Sequence, residues 1–162
     1  MSNSPSTADG RIRAMQIIAG ALIAGVVVFG IVVVFVVGAL NQPPAAGIVK
    51  YMALGFIVLE LVPFALVPTF VTTESITRSQ PENRMLSEEE RPYGLYQTRM
   101  IIRFALLEGA AFLNLVATII EHHWWNLAAA GGLAFLMLLM FPTRTRVEQW
   151  IETQRMQSDA NL

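Results

Sequence analysis

The sequence predicts an all-α, polytopic membrane protein: four transmembrane helices that form two helical hairpins, followed by a short amphipathic C-terminal helix. Composition indicates this class, because 54% of the 162 residues are apolar and only 14% are charged, against about 25% charged in ordinary soluble domains. The apolar residues also lie in four long runs, as membrane spans require. Finally, most of the arginines lie in segments that would face the same side of the membrane, as the positive-inside rule describes.

Charges, prolines and tryptophans interrupt the apolar runs and so define the predicted segments. The first run follows Arg11 and Arg13 and is far longer than the roughly 7–15 apolar residues of a signal peptide, which predicts a retained helix. The predicted segments are a disordered tail over residues 1–10, a transmembrane domain over 11–143 with spans at about 14–40, 50–71, 98–121 and 125–141 and a loop at 72–97, and an interfacial helix and tail over 144–162.

Prolines predict a turn, a kink and a late start for the third span. The NQPPAAG segment at residues 41–47 predicts a tight turn, and Pro63 predicts a kink in the second span. Ser87 and Glu90 have capping-box spacing. Because Pro92 follows at once, we expect no more than one short turn there.

The C-terminal segment has an amphipathic pattern. Thr145 and Glu148 have capping-box spacing, and Val147, Trp150 and Ile151 share one face of the helix that they would open. Three arginines lie on the other side: Arg144, Arg146 and Arg155. This pattern predicts a helix that lies on the membrane surface.

The basic residues predict the orientation. Nine of the eleven lysines and arginines lie in or beside the N-terminal tail, the central loop and the C-terminal tail, whereas Lys50 lies in a segment on the opposite side. The positive-inside rule then places both termini and the central loop in the cytoplasm. We expect the protein in a bacterial inner (cytoplasmic) membrane.

The sequence also contains a weak internal repeat that matches the predicted topology. IIAGALIAG at residues 17–25 and IIRFALLEG at residues 101–109 share the pattern Ala-Leu-apolar-x-Gly, and a Pro-Thr pair closes both the second and the fourth spans. Two duplicated hairpins would explain the similarity, and so would chance likeness between apolar runs.

Two carboxylates lie near the middle of predicted spans, Glu60 in the second and Glu108 in the third. An acid at that depth is costly and is by default a candidate functional site. The two spans are consecutive and antiparallel, so the carboxyls are candidates to meet and share a proton. The alternative is that each acid is protonated, bonds a backbone carbonyl and holds helices together.

Two further polar residues lie in the third span. Arg103 and Glu108 are five positions apart, about 140° around a helix, so an ion pair between them is disfavoured. Snorkelling of Arg103 towards the headgroups is the better interpretation. Asn114 is able to bond another helix, and we interpret it as a packing residue.

The sequence gives little evidence for metal binding, catalysis or nucleic-acid binding. His122 and His123 are weak metal candidates only, because adjacent helical side chains point about 100° apart. Cysteine is absent, which excludes disulfides, thiolate metal sites and cysteine nucleophiles. No nucleophile, base and oxyanion set can be assembled, and we expect no enzyme activity, cofactor or bound metal. A net charge of −1 gives no basic field for nucleic acid.

Small residues at helical spacing predict where helices meet, since they let two backbones approach closely. The predicted packing positions form three pairs, each with a spacing of four: Ala21 and Gly25, Ala105 and Gly109, and Ala128 and Gly132.

The sequence around the two glutamates is similar to that of a known family. VLELVPFALV, around Glu60, carries a Glu-x-x-Pro phrase, and Arg91-Pro92 is followed by Thr98, Ile101 and ALLEGAAFLNLVATII. These phrases resemble the proteolipid (c) subunits of rotary ATPases, in which a mid-membrane carboxylate carries a proton or sodium ion. The resemblance implies that Glu60 and Glu108 bind such an ion. The chain departs from the family in its first span, which lacks the glycine ladder, and in the NQPPAAG turn, which lacks the loop arginine.

These observations predict a small integral membrane protein that acts as a non-catalytic subunit or scaffold. Its expected partners are the lipid bilayer and further copies of itself or other membrane proteins. The alternative function is a proton- or ion-binding membrane subunit that uses Glu60 and Glu108.

Overall fold

A computed structural model describes residues 5–40, 43, 45, 47–70 and 91–159. Over these residues the chain folds into five helices and no strand, which confirms the all-α class. The helices are α1 (Pro5–Leu40), α2 (Val49–Phe70), α3 (Arg91–Glu121), α4 (Trp124–Leu139) and α5 (Arg144–Asp159).

Three of the helices are long and apolar enough to cross a membrane. The qualifying segments are Asp9–Leu40 in α1, Val49–Val67 in α2 and Pro92–Glu121 in α3. Helix α4 has 16 residues, about 24 Å at 1.5 Å per residue, whereas a bilayer core is about 30 Å thick. The chain then bends by 66° into α5.

Two helices begin earlier than the sequence predicted. Helix α1 starts at Pro5, so most of the predicted disordered tail is helical, and α3 starts at Arg91, so the loop predicted to reach residue 97 ends sooner. Pro92 therefore lies in the first turn of α3, where a missing N–H is one that the helix would leave unpaired anyway. The Ser87–Glu90 pair lies outside the described residues. Helix α2 continues through Pro63.

Helix α3 is the centre of the bundle. It packs against α1, α2 and α4 along much of its length and touches α5 near its start, whereas α1 and α2 make little contact in the described structure. Within the first predicted hairpin, α2 therefore packs on α3 and not on α1. The α1–α3 contact includes Phe29 and Phe112, whose rings meet edge to face at 5.4 Å.

Helix α2 lies at the periphery and leaves most of its apolar surface uncovered. Ala53 and Val67 are buried, while Val58, Leu59 and Val62 are 58–66% exposed. Water would penalise such a continuous apolar face, but lipid tails accept it without cost. The surface of α2 thus supports the interpretation of this helix as a membrane span.

Helix α5 docks onto the protein through the face that the sequence predicted to meet lipid. Val147 and Ile151 are buried in a small cluster with Ile12 of α1, and Tyr96 of α3 packs against Trp150 with ring centroids 5.3 Å apart. Protein therefore covers the apolar face of α5, and the location of this helix at the membrane surface stays a prediction.

The predicted start of α5 also needs correction. The helix begins at Arg144, one residue before Thr145, and Glu148 pairs with Arg144 at 2.7 Å. An ion pair between residues four apart on the helix surface thus replaces the predicted capping box.

Candidate functional site

Buried polar side chains gather at one end of the bundle, where α2 begins, α3 ends and α4 begins. We call this group the α2-start cluster and define it as Lys50, Asn114, Glu121, His123 and Asn126. Asn114 and Asn126 are fully buried, and Glu121 is 2% exposed. Buried polar groups in a bundle of this composition are costly unless hydrogen-bonded, so their partners indicate what the cluster does.

Glu121, the last residue of α3, caps the start of α2. Its Oε1 accepts the N–H of Val49 at 2.6 Å and its Oε2 accepts the N–H of Lys50 at 3.1 Å. The next two N–H groups of α2, those of Tyr51 and Met52, donate to Ile48 O at 3.1 Å each. The first-turn N–H groups of Val49, Lys50 and Tyr51 are therefore satisfied, and Met52 N–H makes the first i→i−4 bond of the helix. The carboxylate also lies at the positive end of the helix dipole.

The two asparagines tie three helices together. Asn114 of α3 donates from Nδ2 to Ala53 O of α2 at 3.2 Å and to Ala110 O of its own helix at 2.9 Å. Asn126 of α4 donates from Nδ2 to Asn114 Oδ1 at 3.0 Å and to Lys50 O at 3.3 Å. The interhelical role expected of Asn114 is thus observed, with Asn126 as its partner.

The two histidines form the connection between α3 and α4, and they differ in their surroundings. His122 adopts a left-handed backbone, with φ of 55°, which turns the chain sharply between the helices. His123 Nε2 lies 2.8 Å from Lys50 Nζ and 3.1 Å from Ala45 O, so the tautomer of the ring decides whether this nitrogen accepts from the lysine or donates to the carbonyl. In the parts of the chain that the structure describes, no three His, Cys, Asp or Glu side chains form a group suited to a metal ion.

Glu60 and Glu108 lie at the same depth in the bundle. Two contacts fix the antiparallel register of α2 and α3: the Asn114–Ala53 hydrogen bond and the position of Arg103 over the ring of Phe64, at 5.2 Å. Because the helices are antiparallel, each step forward on α2 corresponds to one step backward on α3. Glu60, seven residues after Ala53, is therefore level with residue 107, seven residues before Asn114 and one before Glu108. Their depths differ by about 1.5 Å.

The two glutamates nevertheless face different neighbours. Glu60 is seven residues from Ala53, roughly 20° around α2, so it shares the face that meets α3. Glu108 is six residues from Asn114, roughly 120° around α3, and its Oε1 lies 3.5 Å from where a Cβ on Gly25 of α1 would be. This divergence disfavours a proton shared between the two carboxyls. Proton or ion binding at either glutamate remains a prediction.

The predicted packing positions divide into one inward-facing and five outward-facing residues. Gly25 meets Glu108 and Phe112 of α3. The other five are exposed in the single chain, and a Cβ added at Gly109 or Gly132 would meet no atom within 4 Å. The exposed set is Ala21, Ala105, Gly109, Ala128 and Gly132. Contact of these residues with a second chain stays a prediction.

Sequence reasoning missed Glu121 and Asn126 as members of the site. Glu121 lies at the end of an apolar run, where polar residues meeting water are common, and no local pattern indicates that it caps another helix. Asn126 follows two tryptophans at the same boundary. A signal was present in the pair of uncharged amides, since an asparagine inside an apolar span generally bonds a neighbouring helix.

No family model, no curated protein and no solved structure matches the chain. The likeness to rotary-ATPase proteolipid subunits therefore rests on the quoted residues alone. Function has to be argued from the arrangement of the described side chains.

Proposed function

We propose that the chain is a four-span integral membrane protein of the bacterial inner membrane, with both termini in the cytoplasm, that acts as a non-catalytic subunit or scaffold of a membrane assembly. One observation supports the proposed scaffold function: the side chains of the α2-start cluster bind other helices of the same chain. Its carboxylate and the amide nitrogens bond backbone groups of neighbouring helices in the same chain, so they stabilise the bundle; Asn126 Oδ1 is the one buried side-chain oxygen without a partner among the described residues.

The ends of α4 support a fourth span despite its length. At one end, Gln16 Nε2 of α1 donates to Pro142 O, just beyond α4, at 3.1 Å, and Gln16 lies where the uncharged run of α1 begins. At the other end, Trp124 and Trp125 are 60% and 61% exposed, beside the last residue of α3. Tryptophan favours the membrane–water boundary. These two ends support α4 as a fourth span, and local thinning of the bilayer would accommodate its shortness.

Assembly is supported by the outward-facing small residues. Helices in lipid associate through close backbone approach, and a small residue that faces outward offers such a contact to another chain. Gly109 and Gly132 suit this role and Gly25 does not, because Gly25 already packs inside the chain. These contacts support a role in assembly for Gly109 and Gly132 and a role in folding for Gly25.

We expect Gly109→Leu and Gly132→Leu to weaken self-association or partner association while the single chain stays folded. The measurement is the assembly size in native nanodiscs, with thermal unfolding of the dissociated chain as the check on folding. The matched control is Gly55→Leu on α2, because a Cβ there also meets nothing within 4 Å and Gly55 is outside the predicted packing set. Unchanged assembly in both variants, or an equal loss in the control, would contradict the scaffold proposal.

The alternative function, proton or ion binding, is favoured by one observation, the common depth of Glu60 and Glu108. Because the two side chains face different helices, we expect them to titrate independently. Dicyclohexylcarbodiimide modifies protonated carboxyls in the lipid phase, so its reaction with each glutamate as a function of pH measures this directly. Glu60→Gln should leave the pH midpoint of Glu108 labelling unchanged, and Glu108→Gln should leave that of Glu60 unchanged.

A shift of that midpoint by more than about one pH unit would show that the carboxyls are coupled, as in a shared-proton pair. Absence of labelling at both glutamates at every pH would remove the proton-binding alternative. A labelled glutamate that lies in the native assembly and responds to pH would favour it over the scaffold proposal.

A further inference from the structure

A basic pocket lies at the end of the bundle opposite the α2-start cluster. It has a volume of about 180 Å³ and is lined by Arg99 and Arg103 of α3, by Trp150 of α5 and by Met140 at the end of α4. The hydroxyl-bearing Tyr96 completes its rim. The pocket therefore combines two guanidinium groups with apolar and aromatic walls.

The two arginines are held in place by aromatic rings. The guanidinium of Arg99 lies 5.5 Å from the ring centre of Trp150, and that of Arg103 lies 5.2 Å from that of Phe64. Such cation–π contacts orient both groups. The arginines are four residues apart and so share one face of α3, where two like charges repel each other. A bound anion would place an opposite charge beside this face.

Arg103 also has a hydrogen-bond donor that the described part of the chain does not use. Its Nε is buried and makes no hydrogen bond there. A buried donor without an acceptor is costly, and a guanidinium forms its strongest bonds with planar carboxylates and with phosphates. Arg103 is two residues inside the apolar run that begins at Ile101, at the depth where lipid phosphates meet acyl chains.

We propose that this pocket binds the phosphate of an anionic phospholipid headgroup, with the guanidinium groups of Arg99 and Arg103 on the phosphate and Met140 beside the glycerol and acyl chains. Basic pockets between transmembrane helices are suited to anionic lipids. Inorganic phosphate and the lipid headgroup would present the same anionic group to the arginines. The methionine and tryptophan walls favour the lipid. Lipid binding here is independent of the scaffold role.

Trp150 makes the pocket observable. Trp124 and Trp125 are the other tryptophans of the chain, and both are exposed, so a W124F/W125F background keeps Trp150 as the sole indole reporter. In nanodiscs of phosphatidylcholine containing a small fraction of brominated phosphatidylglycerol, we expect stronger quenching of Trp150 than with the same fraction of brominated phosphatidylcholine. Removing one guanidinium by Arg103→Gln should weaken the phosphatidylglycerol affinity about fivefold, the usual effect of one basic residue beside an anionic lipid.

Arg13→Gln is the matched control, because Arg13 is exposed on α1 and is not among the residues that line the pocket; it should leave the affinity unchanged. Arg103→Lys keeps the charge and should retain part of the affinity, which separates binding from a loss of folding. Equal quenching by both brominated lipids, or an equal loss in the Arg13 variant, would overturn the proposal. Inorganic phosphate that changes Trp150 fluorescence in pure phosphatidylcholine, with the change abolished by Arg103→Gln, would assign the pocket to free phosphate and overturn the lipid as its occupant.

Discussion

Glu121→Ala is expected to lower the free energy of unfolding by about 3 kcal/mol, because a hydrogen bond to a charged group contributes about 1.5–3 kcal/mol and Glu121 makes two. Both bonds go to the first turn of α2, through the N–H groups of Val49 and Lys50. Loss of the carboxylate leaves these donors unpaired at a partly buried helix start and removes a negative charge from the positive end of the helix dipole. The contacts of α2 with α3 should loosen as a result.

The measurement is reversible unfolding in mixed micelles or by steric trapping in bicelles. Glu152→Ala on α5 is the matched control, because Glu152 is exposed and a surface substitution usually stays within about 0.5 kcal/mol. Glu121→Gln should fall between the two, since an amide oxygen accepts one bond without the charge. Faster hydrogen exchange confined to the amides of Val49 and Lys50 would locate the effect. A Glu121→Ala variant as stable as the Glu152 variant would refute the capping role.

The helices were accessible from sequence because their signals are local. Uncharged runs of sufficient length indicate spans whatever the neighbours are, and the described residues contain three such helices. The start of α3 was missed because Pro92 has two opposite meanings: it ends a helix that precedes it and is well tolerated in the first turn of one that it opens. Pro92 occupies the first turn of α3.

The partners of each helix face were less accessible because they depend on tertiary register. The apolar face of α5 has the same pattern whether it meets lipid or protein, and only its packing against Ile12 of α1 decides between them. A similar depth for Glu60 and Glu108 follows from counting residues and needs no knowledge of the packing. Their different directions depend on which helix packs on each side of α3, and the sequence of one span does not indicate its neighbours.

The α2-start cluster shows the same limit at the scale of one residue. Glu121 is separated from Val49 by 72 positions along the chain, so no window of sequence contains both the cap and the helix that it caps. Asn114 was recognised from the sequence as able to bond another helix and interpreted as a packing residue. Its acceptor, Ala53 O, is a backbone atom that carries no sequence signal.

Gly47→Ala is expected to destabilise the protein by about 2 kcal/mol, the usual range for overpacking a tight site being about 1–3 kcal/mol. A Cβ on Gly47 would overlap the Glu121 carboxylate, with Oε1 as the nearest atom. The described glycines have no positive φ, so the requirement at position 47 is space and not backbone conformation. The carboxylate must move to make room, and a moved carboxylate releases the N–H groups of Val49 and Lys50. Gly55→Ala is the matched control, because a Cβ there meets nothing within 4 Å.

A double-mutant cycle distinguishes this mechanism from general damage to the turn. If Gly47→Ala acts by displacing Glu121, it has little left to disturb once Glu121 is alanine. The Gly47→Ala/Glu121→Ala variant should therefore be only slightly less stable than Glu121→Ala alone, with a coupling of about 1–2 kcal/mol, within the range seen for residues in contact. Unfolding of the four proteins under one set of conditions supplies the cycle. Additive losses would mean that Gly47 acts independently of the cap, and the close approach of Gly47 to Glu121 would then have no part in holding α2 against α3.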